Sequence, residues 1–244
     1  MLLNCDLGES FGVWSMGQDT EIMPFIDQAN IACGFHASDP EIMVQTVRLA
    51  VSAGVIIGAH PAYPDLVGFG RRSMALSEAA VESLIWYQAG ALDGIARTLG
   101  SKIQYIKPHG ALNNDMMKNP ALLTTVMQAV RRYRSDMTLM LPSTLDWEQH
   151  QDMAQKIGLT LIFEAYADRA YSADGQLRSR TLPQSVHHDP ETMVQQALSF
   201  AQKGGVYSFE GQWLSLPAQT LCVHGDTPTA VAAVKTLRQT LHSL

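Results

Sequence analysis

Residues 28–40 read QANIACGFHASDP, and this stretch decides the fold: a short apolar run with the character of a strand, a histidine, then an Asp39-Pro40 pair that opens a helix. A capping carboxylate satisfies backbone N–H groups left open by a first helical turn, and proline at the first helical position sacrifices no hydrogen bond. HASDP at 36–40 returns as HGDTP at 224–228, and a capping residue also precedes proline at Asn119-Pro120 and Asp189-Pro190. Four such starts mark a chain built from repeated strand-then-helix units.

Working outward, apolar runs place strands near 2–6, 28–33, 55–59, 103–108, 137–141, 160–164, 205–209 and 220–224. Helical spacing falls near 40–53, 77–99, 120–134, 144–157, 190–203 and 228–242, with the stripe Val81, Leu84, Ile85, Leu92 broken only at Gln88. Strand and helix in alternation imply a parallel sheet. Seven or eight parallel strands in 244 residues favour an α/β fold of the irregular (β/α) TIM-like barrel type over an open doubly wound sheet. No low-complexity linker divides the chain, so 1–244 is expected to form a single barrel domain.

With 46% hydrophobic residues, the chain can bury roughly 70–75% of its unfolded surface without help from disulfides. Seventeen Lys plus Arg against 23 Asp plus Glu give a net charge of -6, which speaks against a nucleic-acid partner. Asp6 interrupts the first apolar stretch and no run of about 18 apolar residues follows, so no membrane segment and a cytoplasmic location are expected. Cys5, Cys33 and Cys222 are scattered in apolar surroundings, as reduced core thiols would be.

In a parallel barrel the C-terminal ends of all strands face one mouth, and the residues there are Asp6, His36, His60, His109 and His224. One histidine after a strand is commonly a turn residue; four at equivalent positions point to a site. Alternation puts Asn4 with Asp6, Tyr105 with Lys107 and His109, and Thr220 with Cys222 and His224. A lysine inside the barrel needs a carboxylate, for which Asp6 and Glu9 are the candidates. Asn4 and Asn30 read equally well as buried amides or substrate contacts. GFGRRS at 68–73 offers Arg71 and Arg72 for an anion, although paired arginines on a loop often face solvent. The segment 165–189 carries Asp168, Arg169 and an Asp174-Gly175 turn, the pattern of a lid or hairpin over the mouth. His150, His187, His188 and His242 read as solvated. No GxxxxGK[ST] occurs, so ATP would not bind through a Walker A loop.

The stretches NCDLGESFG (4–12), ANIACGFHASDP (29–40), GAHPAYPDLVGFGRR (58–72), KPHGALNN (107–114), ADRAYSADG (167–175) and LCVHGDTP (221–228) resemble the LamB/YcsF family, described as the A subunit of the bacterial ATP-dependent 5-oxoprolinase. The resemblance runs in order from residue 4 to about 230. It implies a barrel related to polysaccharide deacetylases, opening of 5-oxo-L-proline to L-glutamate with ATP hydrolysis, and partner subunits B and C. The family motifs fall here on Asp6, Glu9, His36, His60, Lys107, His109, Asp168, Arg169, His224 and Asp226. Two departures stand out: Ser38 where the family usually has glycine, and Asn113 where it usually has an aromatic residue.

A lactam amide is resonance-stabilised and its free amine can close again, which explains coupling to ATP. Phosphorylation of the amide oxygen activates the ring carbon for water, and the attack needs a base, an electrophile and an anchor for the substrate carboxylate. The expected catalytic set is Asp6, His36, His60, Lys107, His109 and His224, with Asp6 or a neighbouring histidine as base and Lys107 as electrophile. Substrate contacts are expected from Glu9, Asn30, Arg71, Asp168 and Arg169, with Arg71 or Arg169 as anchor. Two other readings stand beside it: a metal-dependent amidohydrolase or deacetylase in which Asp6 and two histidines hold a divalent ion, and a non-catalytic lactam-binding subunit. The sequence leaves open whether ATP sits on this chain or a partner, whether a metal is bound, and whether the chain forms a homo-oligomer.

Overall fold

The structure, a computed structural model, describes residues 1–179, 181–187, 189–223 and 228–242. The strands are β1 (Leu2–Leu7), β2 (Gln28–Ala32), β3 (Ile56–His60), β4 (Ile103–Ile106), β5 (Thr138–Pro142), β6 (Thr160–Tyr166), β7 (Gly205–Tyr207), β8 (Trp213–Ser215) and β9 (Thr220–Val223). Seven of them close a parallel barrel in the order β1-β2-β3-β4-β5-β6-β9, with β9 completing the ring between β6 and β1. The helices are α1 (Asp19–Ile22), α2 (Pro40–Ala53), α3 (Glu78–Thr98), α4 (Gly110–Lys118), α5 (Pro120–Tyr133), α6 (Trp147–Lys156), α7 (Pro190–Lys203) and α8 (Pro228–His242). Among the described residues no helix is long and apolar enough to cross a membrane.

The strand expected at 205–209 lies outside the barrel. Its chain reverses where Ser208 N–H donates to the Gln212 carbonyl at 2.7 Å, so β7 pairs antiparallel with β8 as a short hairpin. Seven strands, not eight, therefore close the ring. The short helices α1 and α4 are not legible from periodicity; ALNNDMMK lacks an apolar stripe, and α4 buries only Ala111, Leu112 and Met116.

Capping side chains open the helices as the sequence implies. Asp39 accepts from Glu41 N–H and Ile42 N–H at 2.8 and 3.0 Å, Asn119 from Ala121 and Leu122 at 3.0 and 3.3 Å, and Asp189 from Thr192 at 2.8 Å. The cap at Thr227 lies outside the described residues, as do His188, His224 and Asp226. Outside the ring, Ala29, Ile31, Ile57 and Ile106 pack with Val47 and Ala50 of α2 and Ile85 and Leu92 of α3 in one core. Gln88, the break in the α3 stripe, is fully buried and satisfied: its amide accepts from Ala62 N–H and donates to the Ala62 and Leu84 carbonyls, pinning the turn after β3.

The barrel interior is polar. Asn4 donates to Thr220 at 3.0 Å, Asn30 donates to Asn4 at 2.8 Å, and the Tyr105 hydroxyl donates to Asn30 at 2.6 Å. Tyr105 occupies the space that a side chain on Gly58 would need, since a Cβ there would sit 2.1 Å from its ring. All three cysteines are buried free thiols, as expected.

Ser38 is buried with φ of 75°, a left-handed conformation that L residues adopt at a cost of about 1 kcal/mol. Ser38→Gly should therefore stabilise the chain by about 0.5–1 kcal/mol, or roughly 1–4 °C in Tm measured by differential scanning calorimetry. An unchanged or lower Tm would show that the serine hydroxyl offsets the strain.

Candidate active site

Lys107 follows β4 and crosses the barrel interior. Its Nζ lies 2.9 Å from Asp6 Oδ1, 2.9 Å from Glu164 Oε2, 3.3 Å from Asn4 Oδ1 and 3.4 Å from Cys222 Sγ. Burial pulls the ammonium toward neutrality, but the Asp6 and Glu164 carboxylates overcome it and raise its pKa well above the ordinary value. The expected pairing with Asp6 is present. The second carboxylate, Glu164, is not among the expected site residues, although strand alternation in LIFEAY puts Glu164 and Tyr166 on one face. Cys222 remains a thiol beside the ammonium, because burial pushes its pKa well up. Asp6 Oδ1 also accepts from Asn30 Nδ2 at 2.7 Å, so its carboxylate is held from two sides.

Three histidines stand above this pair. His60 Nδ1 is 2.6 Å from the Lys107 carbonyl and His109 Nε2 is 3.0 Å from the Phe69 carbonyl. A carbonyl only accepts, so each of these ring nitrogens carries the proton. The remaining nitrogens, His60 Nε2 and His109 Nδ1, face each other at 3.0 Å. His36 stacks on His109 with centroids 3.8 Å apart and rings within 6° of parallel, and its Nε2 is 3.2 Å from Glu9 Oε1. His109 Nδ1 is 3.7 Å from the same Glu9 oxygen, and His60 Nε2 is 3.4 Å from Asp6 Oδ2. Burial, then the neighbouring histidines, push His109 down to about 3, and burial with His60 lowers His36 well below the usual imidazole value.

Two glycines make the stack feasible. A Cβ on Gly70 would lie 2.8 Å from His36 Cβ and 2.9 Å from His109 Cδ2, and one on Gly110 would lie 2.5 Å from the Gly70 carbonyl oxygen. Both adopt left-handed φ, at 64° and 56°.

A cavity of about 800 Å³ opens over the group, with Asp6, His60, Lys107 and His109 in its floor. Arg71 and Asn113 form one wall, and Arg169, Tyr171 and Gln176 line it from the segment 165–189. That segment has the expected hairpin character, with bridges Arg169–Val186 and Tyr171–Leu177 and the Asp174-Gly175 turn closed by Gly175 N–H on the Ser172 carbonyl at 2.9 Å. Arg169 donates to the Ser185 and Arg178 carbonyls at 3.2 and 2.7 Å, so it also holds the hairpin in shape. Arg72 is bound to buried Asp65, which leaves Arg71 as the guanidinium of that pair at the cavity. Of the expected site residues, Glu9, Asn30, His36 and Asp168 do not line this cavity. His150, expected in solvent, is buried in α6.

The site is held by the buried ammonium, so Lys107→Met should cost about 3–5 kcal/mol, a Tm loss of roughly 6–20 °C, by leaving Asp6 and Glu164 facing one another without it. Lys107→Met combined with Glu164→Gln should recover part of that loss; a double variant no more stable than the single one would rule out charge burial as the cause.

The LamB/YcsF family model matches residues 1–244. A 5-oxoprolinase A subunit from Pseudomonas putida, the one numbered 2, is 57% identical over 244 residues, covering 100% of this chain and 95% of its own. A 5-oxoprolinase A subunit from Vibrio cholerae is 47% identical over 98% of this chain and 96% of its own. The crystal structure of a lactam utilization protein from Thermus thermophilus superposes with a TM-score of 0.91 at 38% identity, covering 100% of this chain and 96% of that one.

Proposed function

The chain belongs to the LamB/YcsF family, and on that premise we propose that it is the A subunit of an ATP-dependent 5-oxoprolinase, opening 5-oxo-L-proline to L-glutamate. The observation that carries this reading is the Asp6 carboxylate in the cavity floor, fixed by Lys107 and Asn30 and 3.4 Å from His60, in a chain whose relatives bear that name. The span 1–244 acts as one catalytic unit, in the cytoplasm, with subunits B and C as partners and ATP as co-substrate. A divalent cation beside Asp6 is compatible with the same chemistry.

In the first step ATP transfers its terminal phosphoryl group to the lactam oxygen. Water then adds to the activated ring carbon, and the C–N bond breaks as the ring nitrogen is protonated, leaving an acyl phosphate. A second water releases phosphate and L-glutamate. This chain's residues serve the water steps. Asp6 accepts the proton of the attacking water, and its two donors hold the carboxylate in place for it. The proton that Asp6 takes from water passes to the ring nitrogen as the C–N bond breaks, with His60 Nε2 at 3.4 Å orienting the carboxylate. Lys107 already faces Asp6, Glu164, Asn4 and Cys222, so we assign it to holding Asp6 rather than to polarising the substrate. Arg71, exposed at the rim, receives the substrate carboxylate, and Asn113 sets the shape of the wall where the family usually carries an aromatic ring. The phosphoryl transfer is assigned to the partner subunits.

The test is glutamate release from 5-oxoproline by this chain with subunits B and C, with and without ATP, against this chain alone. Release only in the complete ATP-supplied mixture supports the reading; release by this chain without ATP overturns it. In the complete mixture Asp6→Asn should lower kcat by at least 100-fold while circular dichroism remains native; turnover near wild type would remove Asp6 as the base.

A further inference from the structure

We propose that Glu9, His60 and His109 form a binding site for one first-row divalent cation of the zinc type, through Glu9 Oε1, His60 Nε2 and His109 Nδ1, while His36, stacked parallel on His109 and 3.2 Å from Glu9 Oε1, supports the two ligands it touches. This deepens the lactam-opening reading by adding a cation to the same floor, and it differs from the ligand set of Asp6 with two histidines that the sequence suggests.

Proton positions on the imidazoles give the first reason. His60 Nδ1 and His109 Nε2 both face carbonyl oxygens, at 2.6 and 3.0 Å, and so both carry hydrogen. Two neutral rings in those tautomers turn lone pairs toward each other at 3.0 Å, an arrangement that repels unless something positive stands beside both. A divalent cation removes the conflict. The outward N–H to carbonyl contacts are also the hydrogen bonds by which metal-ligating histidines are oriented and their tautomer chosen.

Spacing supports the same conclusion. In a tetrahedral site with ligands about 2.0–2.1 Å from zinc, donor atoms lie about 3.3 Å apart. Here the pairs His60–His109 and His109–Glu9 stand at 3.0 and 3.7 Å, and all three donor atoms lie within 4.8 Å of one another. Two imidazoles and one carboxylate suit zinc or a neighbouring transition ion better than magnesium or calcium, which prefer all-oxygen sites.

Bound by three protein ligands with a fourth position open, the ion would polarise a substrate oxygen or acidify a water beside Asp6.

The experiment uses the full chain stripped with a chelator, then titrated calorimetrically with Zn2+ alone and, separately, loaded with Co2+ for visible spectroscopy. One Zn2+ per chain and the intense visible bands of four-coordinate cobalt are expected. His109→Gln should weaken Zn2+ by at least 100-fold, and Glu9→Gln, at a partly exposed position that leaves the barrel interior untouched, by about 10-fold or more, each with native circular dichroism. Less than about 0.1 equivalent bound by the wild type would overturn the proposal and leave a proton shared between His60 and His109 as the explanation. Binding unchanged in both variants would overturn it too, by placing the ion elsewhere. Because no lactam or ATP is present, this outcome is independent of the turnover test: metal bound without turnover would count against the proposed reaction alone, and full turnover by metal-free enzyme against the cation alone.

Discussion

A lysine ammonium inside a barrel is the constraint on which the rest depends. Leaving Lys107 charged at that depth costs several kcal/mol unless carboxylates meet it at contact distance. Asp6 comes from β1 and Glu164 from β6, while Cys222 on β9 closes the gap between them. The ion pair therefore spans the ring, and it forms only if the seven strands close in the observed register. A slip of one residue in any of these strands would turn its polar side chain outward into the helix layer. Closure and site assembly are in this sense one event.

Around that centre the loops are shaped for close approach. Gly70 and Gly110 let two turns touch, Ala111 N–H donates to the Gly70 carbonyl at 2.8 Å, and the His36–His109 stack fills the space that side chains there would take. Asp65 binds Gly68 N–H and Arg72, which fixes the same loop from beneath. The strain at Ser38 and at Phe69, whose φ is 54°, lies on either side of the histidine cluster, so unfavourable backbone is concentrated where the side chains must converge.

Much of this is legible in the sequence because it is encoded by short-range rules. A capping side chain before proline at 39–40, 119–120 and 189–190 locates helix starts to the residue, and alternation places Asn4 with Asp6 and Tyr105 with Lys107. What escapes depends on distance in the chain. Glu164 is 57 residues from Lys107, and a single acidic residue in a strand carries no sign of the partner it will meet across a barrel. The hairpin at 205–215 has the composition of a barrel strand, and only the reversal at 208–212 distinguishes it. His150 reads as solvated because a helix with so polar a sequence gives little indication of its buried face.

The histidine geometry is harder still to read from side chains, since main-chain atoms dictate it. Lys107 holds Asp6 with its ammonium and His60 with its carbonyl, so one residue sets the separation of the carboxylate from the imidazole. The Phe69 carbonyl does the same for His109, and it is aimed there by a left-handed residue followed by a glycine. Replacing either side chain leaves the carbonyl in place, so the tautomers of His60 and His109 are fixed by the path of the backbone. Two imidazole lone pairs are thereby forced together beside the Asp6 carboxylate. A chain that maintains such an arrangement through its backbone, with glycines spent on keeping the rings in contact, has an inner surface built to receive positive charge, and the substrate's reactive amide would then enter against it.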